Sequence, residues 1–438
     1  MDARNDETTV DVAVIGAGLA GLAAAATAAD AGRSVLLIDG QPGGGRAATD
    51  EVGRYRFNRG AHALYTTGPG RTVLDDLGVQ VKASPPPLRG AMVRVGHRVG
   101  LAPGNAVSLA RTPMLSSREK LVLGRLLAGV RRWRPDEWAD RSAAQFFDHL
   151  GLEGRPRQMV MMLTRTATYG ADPEVLSADV VVSQVQMALA GVDYLHGGWR
   201  SLVDGLAAAG RDRGVRPAPG VHARRVEPDG DGARVRVELD DGTVHARRVV
   251  LAAGSPGAAE RLLPDGAAGW GPQGPAARIA CLDLGLWAPP SIQVLFGVDV
   301  PLYLSCHAPV AAGLAPPGAA TAQLMWYLRP DEDPTPDEAR GVLADHARLA
   351  GIDAGDAVES RYLHRMVAVS AQPAPEAGGL RGRPRVTDSG VEGVFLAGDW
   401  VGPTGYLADA SLVSGAEAAK AAVASLDRPS RSVSEPAA

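Results

Sequence analysis

The chain has 438 residues, which is enough for two or three domains of ordinary size. Its 45 basic and 49 acidic residues give a formal net charge of −4, which argues against nucleic acid as a partner and favours a small solute. Two cysteines, Cys281 and Cys306, are too few for a disulfide framework or a four-ligand zinc site, and they fit a reducing compartment. The first ten residues carry net negative charge, the wrong sign for a signal peptide, so we expect a cytoplasmic protein without a bound metal.

Residues 12–29 form an uncharged run of 18 residues, which is long enough to suggest a membrane span. We interpret the run instead as the end of a buried strand at 10–15, a glycine turn, and an alanine-rich helix that continues to about residue 31. A second buried strand at 34–38 ends at Asp39. The order strand, helix, strand predicts a βαβ unit.

A glycine motif joins the first strand to the helix. Residues 16–21 fit GxGxxG, in which Gly16 permits a tight turn, Gly18 lets a pyrophosphate approach the backbone, and Gly21 lets the helix pack closely. Asp39 lies 18 residues beyond Gly21, placed to accept hydrogen bonds from ribose hydroxyls, and it disfavours a 2′-phosphate. The motif predicts a site for FAD or NAD. The alternative is a glycine-rich turn in an α/β domain that binds no dinucleotide.

Four further segments have recognisable patterns. Residues 116–134 have helical periodicity and a basic face, which could lie on a membrane or face solvent as an ordinary surface helix. Residues 221–251 predict antiparallel strands with turns at DGDG and DDG, and the last strand ends in a second glycine turn. Residues 335–350 begin with proline and acidic residues, which is typical of a helix start. Residues 427–438 are polar and contain proline, which predicts a disordered tail.

Two segments after the βαβ unit carry a family resemblance. Residues 41–49 read QPGGGRAAT and residues 57–65 read FNRGAHALY. Here the chain resembles the flavoprotein superfamily of amine oxidases, phytoene desaturases, hydroxysqualene dehydroxylases and protoporphyrinogen oxidases. The resemblance implies FAD as the cofactor and places Arg46, after Gly44 and Gly45, against its pyrophosphate and ring region. A guanidinium can neutralise phosphate and support negative charge on reduced flavin; the alternative is a surface arginine.

The C-terminal part of the chain carries a second resemblance to this superfamily. Residues 393–415, GVFLAGDWVGPTGYLADASLVSG, look like its C-terminal flavin motif. The resemblance implies that Gly398 and Asp399 contact the ribityl and phosphate part of FAD. It also implies that residues 406–408 begin a helix whose N–H groups polarise flavin N1 and C2=O. One departure is Ala410-Ser411, where relatives commonly carry Gly-Ala, and it leaves the distance between helix and flavin open.

The resemblance also implies the fold class. We expect an α/β fold with a discontinuous Rossmann-like FAD-binding domain and an interleaved α+β substrate-binding domain of mixed sheet and helices. Residues 221–228 resemble the strand that reads the adenine edge, with Ala223 at the contact, and residues 194–206 resemble the element that returns the chain to the flavin domain. The expected FAD-binding domain comprises 8–75, 196–265 and 383–426, and the substrate-binding domain comprises 76–195 and 266–382. The predicted cofactor-binding residues are Gly16, Gly18, Gly21, Asp39, Gly44, Gly45, Arg46, Gly60, Ala61, His62, Ala223, Gly398, Asp399, Tyr406, Leu407 and Ala408.

Three residues are candidates for catalysis. In the superfamily the flavin accepts a hydride at N5, and the protein supplies a dry pocket, orientation and sometimes a base. His62 falls in the stretch expected beside the isoalloxazine, as a base, as a hydrogen-bonding partner of the flavin, or as a structural histidine. Trp400 and Tyr406 flank the expected ring position, where they could wall the substrate pocket or simply pack. Tyr169 is a substrate-domain aromatic residue for which core packing is the alternative.

The scarcity of lysine bears on the reaction. Only Lys82, Lys120 and Lys420 are lysine. Many amine-oxidising relatives place a lysine in the substrate domain, where it holds a water at flavin N5, and this chain has none between Lys120 and Lys420. We therefore expect hydride transfer to flavin N5 from a hydrophobic small molecule, such as an isoprenoid or secondary metabolite, in a desaturase or dehydrogenase. The alternatives are oxidation of an amine or amino acid, redox-neutral isomerisation or dehydration, and a flavoprotein without catalysis.

The positions of the cysteines predict how the flavin is held. Neither lies in the C-terminal segment where some relatives attach the flavin covalently, so we predict non-covalent FAD. Acid precipitation of the holoprotein should therefore release all of the yellow chromophore into the supernatant. The measurement is the flavin absorbance of pellet and supernatant, and a pellet that stays yellow would contradict the prediction.

Overall fold

The structure is a computed structural model that describes residues 8–230 and 233–427. The N-terminal residues 1–7, two residues of the DGDG turn, and residues 428–438 of the predicted tail lie outside these ranges. The strands are β1 (Thr8–Ile15), β2 (Val35–Asp39), β3 (Thr49–Val52), β4 (Tyr55–Asn58), β5 (Leu64–Tyr65), β6 (Ala83–Ser84), β7 (Met92–Val95), β8 (Arg98–Leu101), β9 (Val192–Leu195), β10 (Arg216–Pro219), β11 (Ala223–Asp229), β12 (Arg234–Leu239), β13 (Gly242–Leu251), β14 (Ala277–Leu286), β15 (Val294–Gly297), β16 (Leu302–Cys306), β17 (Ala320–Leu328), β18 (Glu359–Val369) and β19 (Val394–Leu396). The α-helices are α1 (Leu19–Asp30), α2 (Pro69–Asp76), α3 (Ala106–Arg111), α4 (Ser117–Gly129), α5 (Ala143–His149), α6 (Gly154–Thr168), α7 (Ala178–Ala190), α8 (Arg200–Asp212), α9 (Pro256–Glu260), α10 (Pro336–Leu349) and α11 (Leu407–Leu426).

The first large sheet contains the predicted βαβ unit. Its strand order is β10-β2-β1-β13-β12-β11, and β19 pairs with β13. β1 runs parallel to β2 and β13, and β19 runs parallel to β13, so the carboxyl ends of these four strands meet at one edge of the sheet. The predicted antiparallel strands of 221–251 are present as β11, β12 and β13. In an open parallel sheet this edge is where a ligand binds.

Helix α1 is rich in alanine and is buried along almost its whole length. It packs against α11 and α8 on one side of the sheet. Small side chains let the helices approach closely: a Cβ added to Gly415 of α11 would stand 2.2 Å from the carbonyl oxygen of Ala20. Most of the uncharged run 12–29 is therefore divided between β1 and α1, and in the described ranges no helix is long and apolar enough to cross a membrane.

The second large sheet has the order β18-β14-β17-β16-β15-β7-β8 and is mostly antiparallel. Leucines on one face, such as Leu304 and Leu324, pack against Leu343 of α10. The opposite face carries Tyr303 and Tyr327 and packs with α6 and α7 in a second core. The mixed α/β architecture agrees with the predicted fold class, and the exact domain boundaries stay a prediction.

Both predicted helices, α4 and α10, begin with a capping box. In α4, the Ser116 side chain accepts from the Glu119 N–H while the Glu119 carboxylate accepts from the Ser116 N–H. Thr335 and Glu338 cap α10 in the same reciprocal way, with Pro336 at the first helical position. These capping boxes satisfy N–H groups that a helix start otherwise leaves without partners. Residues 130–132 continue α4 as a short 3₁₀ turn.

His346 of α10 is wholly buried behind the second sheet. Its Nε2 lies 3.3 Å from the carbonyl oxygen of Leu295, and its Nδ1 lies 3.4 Å from a guanidinium nitrogen of Arg94. Burial lowers the pKa of His346 from 6.5 to about 4, against a raising effect of the Leu295 carbonyl. The unfolded chain therefore binds this proton more tightly, so stability is lost as pH falls from about 6.5 toward 4.

A leucine at this position should reduce the pH dependence of folding. Between pH 7 and pH 5, wild type should lose about 2 kcal/mol more free energy of unfolding than His346→Leu, because only wild type carries the titrating imidazole. Urea unfolding at both pH values measures the difference. The control is His97→Leu, which removes an exposed imidazole from a turn and should lose as much free energy of unfolding between pH 7 and pH 5 as wild type. The same loss in all three proteins would show that His346 is not the titrating group.

Candidate active site

A cleft of about 330 Å³ opens where β1, β2, β13 and β19 end. Eleven of the sixteen predicted cofactor-binding residues line it, namely Gly16, Gly18, Asp39, Gly44, Gly45, Arg46, His62, Gly398, Asp399, Leu407 and Ala408. These residues come from widely separated parts of the chain. The tertiary structure thus brings both glycine-rich segments and the C-terminal motif to one place.

The other five predicted cofactor residues do not line this cleft. Gly21 packs against the carbonyl of Gly16 in the glycine turn. Gly60 and Ala61 precede His62, and the Ala61 N–H lies 3.4 Å from the sulfur of Met325. Ala223 is the first residue of β11, three residues after Gly220, whose N–H donates to the carbonyl of Asp39 at the end of β2. The side chain of Tyr406 is fully buried. Contacts of these residues with the cofactor stay predictions.

The start of α1 forms one wall of the cleft. Its N-cap residue, Gly18, has no capping side chain, and the first turn contains no acidic residue. A Cβ added to Gly18 would meet no atom within 4 Å. A Cβ on Gly16 would stand 2.4 Å from the carbonyl oxygen of Ala252, and one on Gly21 would stand 1.7 Å from that of Gly16. Free N–H groups and open space at Gly18 fit an incoming phosphate, while Gly16 and Gly21 are required by packing.

The start of α11 forms a second wall. This helix also lacks a capping side chain, and its first residue, Leu407, has φ of 55°, a left-handed conformation that is strained for a leucine. Arg383 fixes the preceding segment by donating to the carbonyl oxygens of Asp399 (2.9 Å) and Gly405 (2.7 Å). Burial lowers the pKa of Arg383 to about 10. Two uncapped helix starts therefore face one cleft; the positive end of α1 favours negative charge there, whereas the first turn of α11 already contains Asp409.

Arg46 and Asp399 form a bidentate ion pair at the cleft. The two guanidinium nitrogens lie 2.7 and 2.6 Å from the two carboxylate oxygens. The Asp399 carboxylate also accepts from the hydroxyl and the N–H of Ser370. Burial alone would raise the pKa of Asp399, but Arg46 and Ser370 together hold it below its ordinary value. Both residues were predicted at the cofactor, and the structure shows that each also orients the other.

Asp39 holds the glycine turn in place. Its carboxylate accepts from the N–H of Ala17 (2.6 Å) and from the N–H of Gln41 (2.8 Å). Gly44 pairs with the same turn through its N–H, which donates to the carbonyl of Ala17 at 2.8 Å. Asp39 therefore shapes the cleft wall, and its contact with a ribose stays a prediction.

His62 and Tyr169 meet at the cleft. His62 Nδ1 lies 3.0 Å from the Tyr169 hydroxyl, which also lies 3.3 Å from the carbonyl oxygen of Ala61. Tyr169 follows α6 with φ of 60°, and this left-handed turn places its ring in the cleft lining. Burial lowers the pKa of His62 to about 4, against raising effects of the Arg46 and Arg59 carbonyls. His62 is thus a neutral imidazole at pH 7, able to donate or accept a hydrogen bond.

The other two catalytic candidates point elsewhere. The indole of Trp400 is fully buried, donates to the carbonyl oxygen of Ala253 at 3.2 Å, and packs against Trp270. The Tyr406 hydroxyl donates to the carbonyl oxygen of Thr168 at 3.2 Å. Because neither side chain reaches the cleft lining, the placement favours packing over catalysis for both.

Several lining residues were absent from the predicted set. They are Ile15, Leu19, Ala20, Ala47, Ala63, Leu64, Tyr65, Tyr169, Trp199, Ala252, Ala253, Gly254, Ala368, Asp409 and Ser411. Most stand inside or beside a segment that the sequence singled out: Tyr65 ends FNRGAHALY, Trp199 follows two glycines, and Asp409 lies in the C-terminal motif. Ala368 of β18 carries no local signal, because its position depends on how the second sheet meets the first.

The fold and the cleft are those of an FAD-dependent oxidoreductase. Residues 19–423 match the model of the flavin containing amine oxidoreductase family, and the chain belongs to that family. The protein named as the flavin-containing monoamine oxidase AofH of Mycobacterium tuberculosis is 29% identical over 272 residues. That match covers 57% of this chain and 58% of the length of AofH.

Solved structures of amine oxidases and related proteins share the fold. A variant of putrescine oxidase has a TM-score of 0.75 at 17% identity, covering 95% of this chain and 99% of that one. Cyclohexylamine oxidase from Brevibacterium oxydans IH-35A has a TM-score of 0.69 at 20% identity, covering 96% and 100%. A protein assigned as a protoporphyrinogen oxidase from Exiguobacterium sp. 255-15 has a TM-score of 0.66 at 15% identity, covering 95% and 98%. At these identities the likeness concerns the fold.

Two alanine substitutions should separate cofactor contact from packing. Gly21→Ala forces a methyl group against the Gly16 carbonyl and should lower the free energy of unfolding by about 1 to 3 kcal/mol or more. Gly18→Ala enters open space and should change it by less than about 0.5 kcal/mol. Gly18→Ala should nevertheless weaken FAD binding about tenfold or more, because its methyl stands where the phosphate meets the backbone. Urea unfolding of the apoprotein and fluorescence titration with FAD measure the two effects. Wild-type FAD affinity in Gly18→Ala would contradict this contact.

Proposed function

We propose that the chain oxidises a neutral, hydrophobic small molecule by hydride transfer to the flavin, as a desaturase or dehydrogenase. The observation that carries the proposal is the state of the charged groups in the cleft. In the described part of the lining, every carboxylate and guanidinium already has a protein partner: Asp39 accepts two backbone N–H bonds, Arg46 and Asp399 pair, and Asp409 accepts from the Gly70 N–H at 2.9 Å. Burial also raises the pKa of Asp409 to about 6. No guanidinium of this lining is left to pair with an anionic substrate, and an ammonium ion would have to leave water for a mostly apolar cleft, so a neutral substrate is favoured.

The cofactor roles follow from the same contacts. FAD, when bound, supplies the hydride acceptor. Gly18 and the start of α1 would hold its pyrophosphate, and Arg46 with the start of α11 would stabilise negative charge on the reduced ring. The remaining wall is mostly apolar, includes the aromatic residues Tyr65, Tyr169 and Trp199, and can exclude water.

His62 would act as a neutral hydrogen-bonding group beside the ring. Its bond to Tyr169 fixes the plane of the imidazole, and Trp199 packs edge-on against it with ring centroids 5.3 Å apart. Held in this way, the imidazole can orient a polar atom of the substrate or the flavin without bringing a charge into the cleft.

Oxidation of an amine is the second candidate. The family membership favours it, since AofH is named as a monoamine oxidase. A cleft with neutral aromatic walls can also accept an amine in its uncharged form. The absence of any lysine between Lys120 and Lys420 supports the first proposal instead.

Anaerobic reduction of the bound flavin distinguishes the candidates. Mixing the holoprotein with a panel of isoprenoids and other apolar compounds should bleach the flavin absorbance with at least one of them. A panel of simple amines should neither bleach it quickly nor release peroxide in air. Rapid peroxide formation with a simple amine would overturn the proposal in favour of amine oxidation. Product formation without any electron acceptor would indicate a redox-neutral reaction, and no bleaching by any compound would indicate a flavoprotein without catalysis.

The Tyr169 hydroxyl provides a sharper test once a reductant is found. Tyr169→Phe keeps the ring but removes the bond that orients His62, so bleaching should slow about tenfold or more while FAD binding stays unchanged. Tyr362→Phe, on the outer strand β18 and away from the cleft, is the matched control and should react like wild type. Equal bleaching rates in the two variants would remove His62 and Tyr169 from the proposed site.

A further inference from the structure

A second cleft, of about 670 Å³, lies between α3, α4 and α7, separate from the cofactor cleft. Its floor is mainly apolar, with Leu109, Leu127, Val130 and Trp133. Around it, Val107 is 60% exposed, Leu121 is 55% exposed and Leu189 is 43% exposed. Only three other large hydrophobic residues in the described ranges are exposed, so half of the set lies on α3, α4 and α7, the helices that form this cleft. We call this cleft and its rim the α3–α4 surface.

The α3–α4 surface is strongly basic, although the whole chain has a net charge of −4. Between residues 111 and 132 there are six basic residues and one acidic residue. The single acid, Glu119, is occupied in the capping box of α4. The basic residues are Arg111, Arg118, Lys120, Arg125, Arg131 and Arg132.

The arginines of this surface are free to bind an external anion. All five are exposed, and none forms an ion pair among the residues that the structure describes. Arg118, Leu121, Arg125 and Arg132 follow a helical spacing along the outer face of α4 and the turn after it. Three arginines and one exposed leucine therefore share one outward face.

We propose that the α3–α4 surface docks on an anionic lipid bilayer. Arginines attract the negative headgroups, and exposed apolar side chains enter the boundary between headgroups and acyl chains. The apolar rim favours lipid over nucleic acid, because a phosphate backbone offers nothing to Val107, Leu121 and Leu189. Contact would be peripheral, since among the described helices none can span a bilayer.

The chain connects this surface to the cofactor cleft. Leu189 and Ala190 of α7 line the α3–α4 cleft, and the next residue, Gly191, accepts hydrogen bonds from the N–H and hydroxyl of Thr66. Tyr65, the residue before Thr66, lines the cofactor cleft. A docked bilayer would therefore lie near one end of the active site, which suits an apolar substrate.

Sedimentation with lipid vesicles tests the proposal. The full-length holoprotein should sediment with vesicles of phosphatidylcholine and phosphatidylglycerol, and much less with phosphatidylcholine alone. The triple variant R118E/R125E/R132E should lose at least about tenfold of its affinity for the anionic vesicles. L121D should also weaken binding to anionic vesicles, because it replaces an apolar side chain that would enter the bilayer with a carboxylate. Retained FAD absorbance in both variants shows that they fold.

Matched changes elsewhere on the molecule control for net charge and exposed area. R211E/R340E/R348E changes the net charge by the same amount as the α4 triple, but on α8 and α10. Trp287→Asp places a carboxylate at an exposed apolar position outside the α3–α4 surface. Both control variants should bind vesicles like wild type. The proposal is overturned if wild type ignores anionic vesicles, or if the control triple loses as much affinity as the α4 triple. A dimer on size exclusion that L121D abolishes, together with no vesicle binding, would show that the surface instead meets a second copy of the chain.

Discussion

The site depends on how closely two helices can approach the same sheet edge. Gly16 and Gly21 leave no room for a side chain against the backbone of Ala252 and of the turn itself, and Gly415 leaves none against Ala20. This contact brings the starts of α1 and α11 to one cleft. A methyl group at Gly16 or Gly21 would press on the glycine turn or on Ala252, and one at Gly415 would press α11 away from α1.

Each charged side chain that lines the cleft in the described ranges has a protein partner before any ligand enters. Arg46 and Asp399 are 353 positions apart yet form a bidentate pair, and Arg383 holds the segment before α11 through backbone carbonyls. Burial keeps His62 neutral. Arg46 is already paired, so the clearest source of positive potential at the cleft is the start of α1, whose first turn has no acidic residue, whereas Asp409 opposes the positive end of α11.

The predicted cofactor residues that line the cleft were found because they occur in short contiguous motifs. In such motifs the conformational demand is local: Gly16, Gly44 and Gly45 all have positive φ, which other residues rarely adopt. Which aromatic side chains line the pocket was harder to predict. Trp400 and Tyr406 stood in the right motif, but their side chains turn into the core, and nothing in the spacing of residues shows that direction.

The sequence by itself determined the βαβ unit, the glycine turn with Asp39, the capped helices α4 and α10, and the family resemblance. Each depends on backbone preference or hydrophobic pattern over a few neighbouring residues. Only the tertiary structure decided the pairing of Arg46 with Asp399, the contact of Tyr169 with His62, and the clustering of exposed apolar residues beside the arginines of α4. Hydrogen bonds, burial and pKa depend on distances between residues far apart in the chain, and those distances exist only once the two sheets have packed.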